Sequence, residues 1–268
     1  MDPLSTVLHR PTAQDDKYSR GVVGFVTGSV EYPGAAILGV TAAIRTGVGM
    51  VRYVGPASVG KMLLEVRPEV VLQSGRAQAW VIGSGMPAEP AQASRITEAL
   101  AEATYAVIDA GALELVDFES LTAKAVLTPH AGELERLFKR FDVNLSRSEI
   151  EADPISAAET AAKLTKQVVL LKGNITTISS PAGQTVQTPP ASPALATAGS
   201  GDVLAGILGA LIAANARGLD VGQISVSEIA YAGALLHARA GALAAEDGPI
   251  AALDIAEAVR LVVGQILA

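Results

Sequence analysis

Ala196-Thr197-Ala198-Gly199-Ser200-Gly201-Asp202 is the stretch of this chain whose residue types and spacing best suit a reaction. Two glycines stand just before the apolar run Val203 to Ala214, which reads as a helix. Backbone N–H groups at a helix start have no partner within the helix, and the dipole makes that end positive, so the loop forms a hole for an anion. Asp202 falls in or beside the first turn. An acid there meets the helix dipole favourably with no further role. Beside an anion hole it is also placed to take a proton from a hydroxyl that attacks a phosphoryl group. The residues alone leave both readings open.

Three other glycine-containing stretches compete for a phosphate. Gly55-Pro56-Ala57-Ser58-Val59-Gly60-Lys61-Met62 resembles a P-loop, but Met62 stands where a hydroxyl would ligate Mg²⁺, and a thioether is a poor ligand for a hard cation. A plain strand-to-helix turn accounts for it. Gly83-Ser84-Gly85-Met86-Pro87-Ala88 follows the apolar run Ala79–Ile82 and matches G-x-G-x-x-A, with Asp109 closing the next apolar run. This imitates a dinucleotide-binding turn, although the acid lies later than the usual interval of about 20 residues. Ser29–Ala36, after Gly28, joins Pro33 to Gly34, Ala35 and Ala36, small residues that allow either a close ligand or tight helix packing.

Composition removes several kinds of chemistry. There is no cysteine, so disulfides, thiol catalysis and thiolate clusters are excluded. The three histidines, His9, His130 and His237, are far apart and form no H-E-x-x-H, which argues against a zinc site. The formal net charge of −7 and the lack of a basic tract argue against nucleic acid or an anionic membrane as partner. The first twenty residues lack the apolar core of a signal peptide, and Val203–Ala214 is too short to span a bilayer. A cytoplasmic protein is expected.

The elements that must position these loops alternate. Val22–Thr27, Met50–Val54, Ala79–Ile82, Tyr105–Asp109, Ala125–Thr128 and Val168–Lys172 read as strands, with helices such as Gly34–Thr46, Glu89–Ala103 and His130–Phe141 between them. Strands too apolar to have a wet face predict a mostly parallel sheet covered on both sides. After Val168 the pattern changes. Gly173-Asn174 reads as a two-residue hairpin turn, a second turn at Ser180–Gly183 leads into Gln184–Gln187, and three helices follow: Gly201–Asn215, Val226–Ala245 and Ile255–Leu267. Ser225 and Glu228 form a capping box for the second of these. The expectation is an α/β chain with an antiparallel flank, one domain over residues 1–268, in which about residues 1–16 are loosely held.

Further stretches narrow the picture. They are Asp16–Gly21 (DKYSRG), Gly28-Ser29 with Tyr32–Ala36, Thr46–Gly49 (TGVG), Asp109–Leu113 (DAGAL), Leu127–Glu133 (LTPHAGE) and Leu171–Thr176 (LKGNIT). In this order, with the Gly-Ser-Gly-Asp loop, they resemble the ADP-dependent NAD(P)H-hydrate dehydratases of the ribokinase-like superfamily, from about Lys17 to His237. The chain departs from the pattern at Gly111, where the family often carries a second acid. There is also no segment for the epimerase that some members carry in front, so an epimerase, where one is present, is expected as a separate protein.

The resemblance implies roles residue by residue. Lys172, Gly173, Asn174, Ile175 and Thr176, with Gly199, Ser200 and Gly201, correspond to contacts with an adenine nucleotide. Ala35, Gly85, His130 and Asp202 correspond to contacts with the hydrated dinucleotide, which makes the Gly83–Ala88 loop a place for a substrate rather than a redox cofactor. Asp202 is then the catalytic base, and Glu133 is a candidate for the Mg²⁺ environment. On the residues alone, His130 is also explained as a polar helix-start residue, Glu133 as a solvent-facing acid and Lys172 as a strand-end lysine. The implied activity is ADP-driven repair of hydrated NADH or NADPH with Mg²⁺, giving AMP and phosphate. A small-molecule alcohol kinase of the same fold and a non-catalytic ADP-binding protein are the alternatives. The small-residue helices Gly34–Thr46 and Gly233–Ala245 make a homo-oligomer an expectation as well.

Overall fold

The computed structural model of the chain describes residues 2–268. Six apolar strands pair in parallel: β1 (Val22–Val26), β2 (Met50–Tyr53), β3 (Ala79–Ile82), β4 (Tyr105–Ile108), β5 (Lys124–Leu127) and β6 (Val168–Leu171). The antiparallel strands β7 (Thr177–Ser179) and β8 (Thr185–Gln187) extend the sheet, in the order β2-β1-β3-β4-β5-β6-β7-β8. Alternate strand residues face two separate cores. Val81 and Val107 enter one, together with α1 (Pro33–Thr46), α8 (Ser200–Ala214), α10 (Val226–Ala244) and α11 (Ala252–Leu267). Ile82 and Ile108 enter the other, with α3 (Pro90–Ala101), α5 (Ala131–Lys139) and α7 (Pro154–Thr165). Residues buried on both faces explain why the strands read as continuous apolar runs.

The short helices α2 (Ala57–Val66), α4 (Ala112–Leu115), α6 (Arg147–Ala152) and α9 (Ala216–Asp220) complete the chain. Ala57 to Met62 of the P-loop imitation, Gly60 included, are helical residues of α2, so no phosphate loop forms there. Gly173-Asn174 is not a two-residue turn. Leu171 pairs with Thr177, which leaves the five-residue loop Lys172–Thr176 between β6 and β7. The reason is on the other side of β6: Lys172 N–H donates to Pro129 O at 2.8 Å and continues the parallel ladder toward β5, which holds the chain straight beyond Leu171.

Small residues set the helix spacing. A Cβ on Gly206 of α8 would lie 2.0 Å from the carbonyl oxygen of Gly39 in α1, so the two backbones touch there. On α10, a Cβ at Gly233 would meet Leu208 at 2.5 Å and one at Gly241 would meet Leu195 at 2.3 Å. At these positions the small faces are filled within the chain. Part of the amino-terminal segment also differs from expectation. Leu4, Val7 and Leu8 are buried in the first core, while residues 9–19 are exposed. Among the described residues no helix is long and apolar enough to cross a membrane.

Candidate active site

The site is assembled at the carboxyl ends of adjacent parallel strands, where the sheet leaves side chains unpaired with any ladder. Asp109 follows β4, Thr128 follows β5 and Lys172 follows β6, while Ser84 lies just beyond β3. The Asp109 carboxylate is buried and accepts from Ser84 Oγ at 2.9 Å, Thr128 Oγ1 at 2.8 Å and Lys172 Nζ at 3.0 Å. Burial works against the Lys172 ammonium, yet Asp109 and Glu133 outweigh it and hold the lysine above its ordinary pKa. Lys172 is therefore a fixed cation, not a proton donor at neutral pH.

His130 and Glu133 belong to the start of α5. His130 Nδ1 accepts from the N–H groups of Gly132 and Glu133, and Glu133 Oε2 accepts from His130 N–H at 2.8 Å, a reciprocal cap with histidine in the usual place of serine. Burial lowers the pKa of His130, with the Lys172 and Arg136 cations adding to it and Glu133 opposing. A neutral ring is what the accepting Nδ1 requires. Glu133 Oε2 also lies 3.5 Å from Lys172 Nζ, so the cap of α5 and the end of β6 share one charge cluster. Among the described residues Glu133 Oε1 has no hydrogen-bond partner.

Gly199 and Asp202 bracket the start of α8. Gly199 adopts φ +89°, and a Cβ there would lie 2.5 Å from Leu38 Cδ1 and 3.0 Å from Ala252 Cβ, so glycine is required both by conformation and by space. A Cβ on Gly201 would lie 3.4 Å from Lys172 Nζ, which places the α8 start directly against the lysine. Asp202 accepts no hydrogen bond from any described residue. Burial, helped by the negative charges of Asp109 and Glu133 and opposed by Lys172, raises its pKa to about 7. Ser200 Oγ pairs with His237 Nε2 at 3.1 Å, and burial pushes His237 down to about 4, so this histidine is neutral at pH 7.

A second small-residue surface adjoins the first. β1 is flanked by β2 on one side and β3 on the other, so the chain reverses its winding direction at the β1/β3 gap. Crevices outside such a switch point are the usual ligand sites of parallel sheets. Ala35 and Gly85 pack against each other at this one. A Cβ on Gly85 would sit 2.4 Å from Ala35 Cβ and 3.3 Å from Gly28 Cα. Ser84, in the same loop, is one of the three donors to Asp109, so the Ala35–Gly85 contact is tied directly to the lysine cluster. Gly111 has no room for the missing acid, because its Cβ would lie 2.2 Å from Met86 O.

The remaining expected contacts surround a cavity of about 680 Å³ next to the cluster. His130, Lys172, Gly173, Asn174 and Ile175 line it, with Arg147 opposite. Thr176 is not part of this lining, and its hydroxyl donates to Gly173 O at 3.4 Å. The structure therefore brings Asp202, Gly199–Gly201, Lys172, Glu133 and His130 around one centre. Ala35 and Gly85 pack together at the neighbouring switch point, and Gly173–Ile175 form the outer wall of the cavity. Sequence reasoning assigned no role to Ser84, Thr128 or His237, and it named Asp109 only as a strand-ending acid. Three of these four share a readable signal, a polar residue just past the end of an apolar strand. His237 has none, since its partner Ser200 is brought to it by the packing of α10 on α8.

An α/β sheet of this order, with a glycine-opened helix presenting an acid at its carboxyl edge, defines a ribokinase-like architecture. A ribokinase-like superfamily protein from Enterococcus faecalis superposes with TM-score 0.82 at 23% identity, covering 99% of this chain and 94% of that one. The ADP/ATP-dependent NAD(P)H-hydrate dehydratase from Bacillus subtilis, co-crystallised with ATP and Mg²⁺, superposes with TM-score 0.86 at 23% identity, covering 98% and 96%. The sequence profile of the NAD(P)H-hydrate dehydratase family matches residues 23–260, and the chain belongs to that family. The bifunctional NAD(P)H-hydrate repair enzyme Nnr of Corynebacterium glutamicum is 42% identical over 224 residues, covering 78% of this chain and 38% of that protein. The chain spans less than half the length of the curated relatives it matches.

Proposed function

We propose that the chain dehydrates hydrated NADH or NADPH at the expense of ADP, yielding NAD(P)H, AMP and phosphate. The observation that carries this reading is Asp202: a carboxyl with pKa near 7, without a hydrogen-bond partner among the described residues, at the glycine-opened start of α8 and beside Lys172. A base works best when its pKa lies near the working pH, because it is then both deprotonated and able to hold a proton. Family membership and the nucleotide named for the Bacillus subtilis structure support the choice of substrates.

The hydrated ring carries a hydroxyl. Asp202 takes its proton as the oxygen attacks the terminal phosphorus of ADP. The bond from that phosphorus to the bridging oxygen breaks, and AMP leaves with the electron pair. The N–H groups at the start of α8 and the Lys172 ammonium face the charge that gathers on the transferred phosphoryl group. The ring nitrogen's lone pair then expels phosphate, and loss of a proton from the adjacent ring carbon restores the dihydronicotinamide. The small Ala35 and Gly85 would let the dinucleotide lie close to the backbone at the switch point.

Mg²⁺ fits the donor set. Such ions on nucleotides need only one or two carboxylates beside the phosphates, and Glu133 has a carboxylate oxygen to offer. Bound there, the ion would neutralise phosphate charge. Purified protein mixed with NADH hydrate, Mg²⁺ and ADP should recover the near-ultraviolet absorbance of NADH, and Asp202→Asn should not. A stable phosphorylated product without elimination would instead identify a kinase of the same fold. Nucleotide binding with no phosphate release would identify a non-catalytic protein.

A further inference from the structure

A second cavity, of about 600 Å³, opens at the opposite end of the sheet, between the last turns of α1, α8 and α11 and the amino-terminal segment. This volume falls within the range of about 300–1,000 Å³ typical of small-molecule sites. Its inner wall is apolar: Ile44 and Val48, Leu211 of α8, and Val263 and Leu267 of α11. Its polar lining is strongly one-sided. Arg10, Arg20, Arg45 and Arg260 all contribute, and Asp15 supplies the one carboxylate side chain. That carboxylate is already engaged by Thr12 N–H and the hydroxyls of Thr12 and Ser19.

In a chain of net charge −7, four guanidinium groups around an apolar pocket are an unusual local excess. Part of their work is internal. Arg20 donates to Gly47 O at 2.9 Å and Arg10 to Ala268 O at 3.1 Å, at the carboxyl ends of α1 and α11. The other two have capacity left. Arg45 reaches Glu257 at 2.6 Å through Nη2, and its Nη1 makes no hydrogen bond or ion pair with any described residue. Arg260 makes no hydrogen bond or ion pair with any described residue.

We infer that this cavity is a binding site for an anionic amphiphile, a carboxylate or phosphate carried on a medium-length aliphatic body. The anion lies among Arg45 and Arg260 at the mouth, and the aliphatic body lies against Leu211, Val263 and Leu267. Guanidinium groups suit both head groups because their planar donors match paired oxygens. The cavity is distinct from the Asp202 site, although both are built on α1 and α8: the first turns of these helices face the reaction and the last turns face this pocket.

The test is calorimetric titration of the full chain with decanoate, decyl phosphate, decanol and decyltrimethylammonium, each below its micellar concentration. The two anions should bind, and the alcohol and the cation should not at the same concentrations. The tighter of the two anions identifies the head group. Arg260→Ala, at an exposed position, should weaken the anions about tenfold or more. Gly264→Leu should abolish binding, because a Cβ at Gly264 meets nothing within 4 Å and the added side chain fills the pocket from a helix that leucine favours. Arg260→Ala remains decisive should Gly264→Leu fold poorly. Decanol binding as tightly as the anions, neither anion binding, or anion affinity unchanged in Arg260→Ala overturns the proposal.

Discussion

Asp109 and Asp202 are both carboxyls withdrawn from solvent near the same lysine, yet their surroundings give them opposite work. Asp109 follows the central strand β4 and accepts from three side chains, Ser84, Thr128 and Lys172. Asp202 starts a helix that glycines open, and it accepts from none. The donors around Asp109 fix its place and make it a structural anion. The want of donors around Asp202, with the charges of Asp109 and Glu133 nearby, makes its proton easy to keep and easy to exchange near pH 7. In the proposed reaction two residues of one type thus divide into a strut and a base, and Lys172 stands between them.

The largest expected effect comes from removing the base. Asp202→Asn should lower turnover by about 10³-fold, within the usual worth of a general base. It should also change stability in a defined direction. The native pKa of Asp202, about 7, lies above its ordinary value, so the native state favours the protonated form. Its contribution to stability is fully present below about pH 4 and is lost as pH rises through 7. The uncharged amide escapes that loss, so at pH 8 the variant should be more stable than the parent by on the order of 1–3 kcal/mol in a urea melt. A variant that keeps its rate would dissolve the contrast between the two acids.

Lys172→Met tests the residue they share. Asp109 would then be a buried anion without its cation, and the cost should be about 3–5 kcal/mol of stability. Because Lys172 holds the pKa of Asp202 down, the acidic limb of the rate profile in any surviving protein should move to higher pH. Asp109→Asn should move the same limb the other way, since it removes a charge that raises Asp202 and leaves the lysine's influence less opposed. In the parent protein the rate should rise with pH through about 7, following loss of the proton from Asp202. A profile that does not respond to either substitution would mean that another group carries the titration.

The smallest effect concerns the α5 cap. His130→Ala removes the acceptor of the Gly132 and Glu133 N–H groups and should cost about 1 kcal/mol in thermal or urea unfolding. His130→Asn, which also caps, should recover most of that stability. If it does not recover activity, the imidazole has a role with substrate beyond the cap.

Much of the scaffold was readable because its signals are local. The six parallel strands are short runs of apolar residues bounded by turns, and the alternation with helices marks a two-faced parallel sheet. Ser225 and Glu228 announced their cap, and Gly199 to Asp202 announced a helix start open to an anion. The hairpin after β6 was misread because Gly173-Asn174 has the composition of a tight turn, while the chain there obeys a hydrogen bond to Pro129 on another strand. The short helix α6 and the twelve-residue α7 were not singled out in the sequence. Within the site, Lys172, His130 and Glu133 were chosen by family pattern, but their mutual contacts carry no sequence signature.

By itself the sequence determined the chemistry on offer. It supplied a glycine-opened helix with an acid in its first turn, polar residues at the ends of apolar strands, and no thiol. Only the tertiary structure decided what that chemistry becomes. Parallel pairing of β3, β4, β5 and β6 places Ser84, Asp109, Thr128 and Lys172 side by side. Close contact of α1 and α8 at Gly39 and Gly206 then seats Asp202 where burial and neighbouring charge raise its pKa. A residue's type fixes which proton it can carry, whereas the solvent and charges around it fix the pH at which it lets go, and those come from segments far apart along the chain.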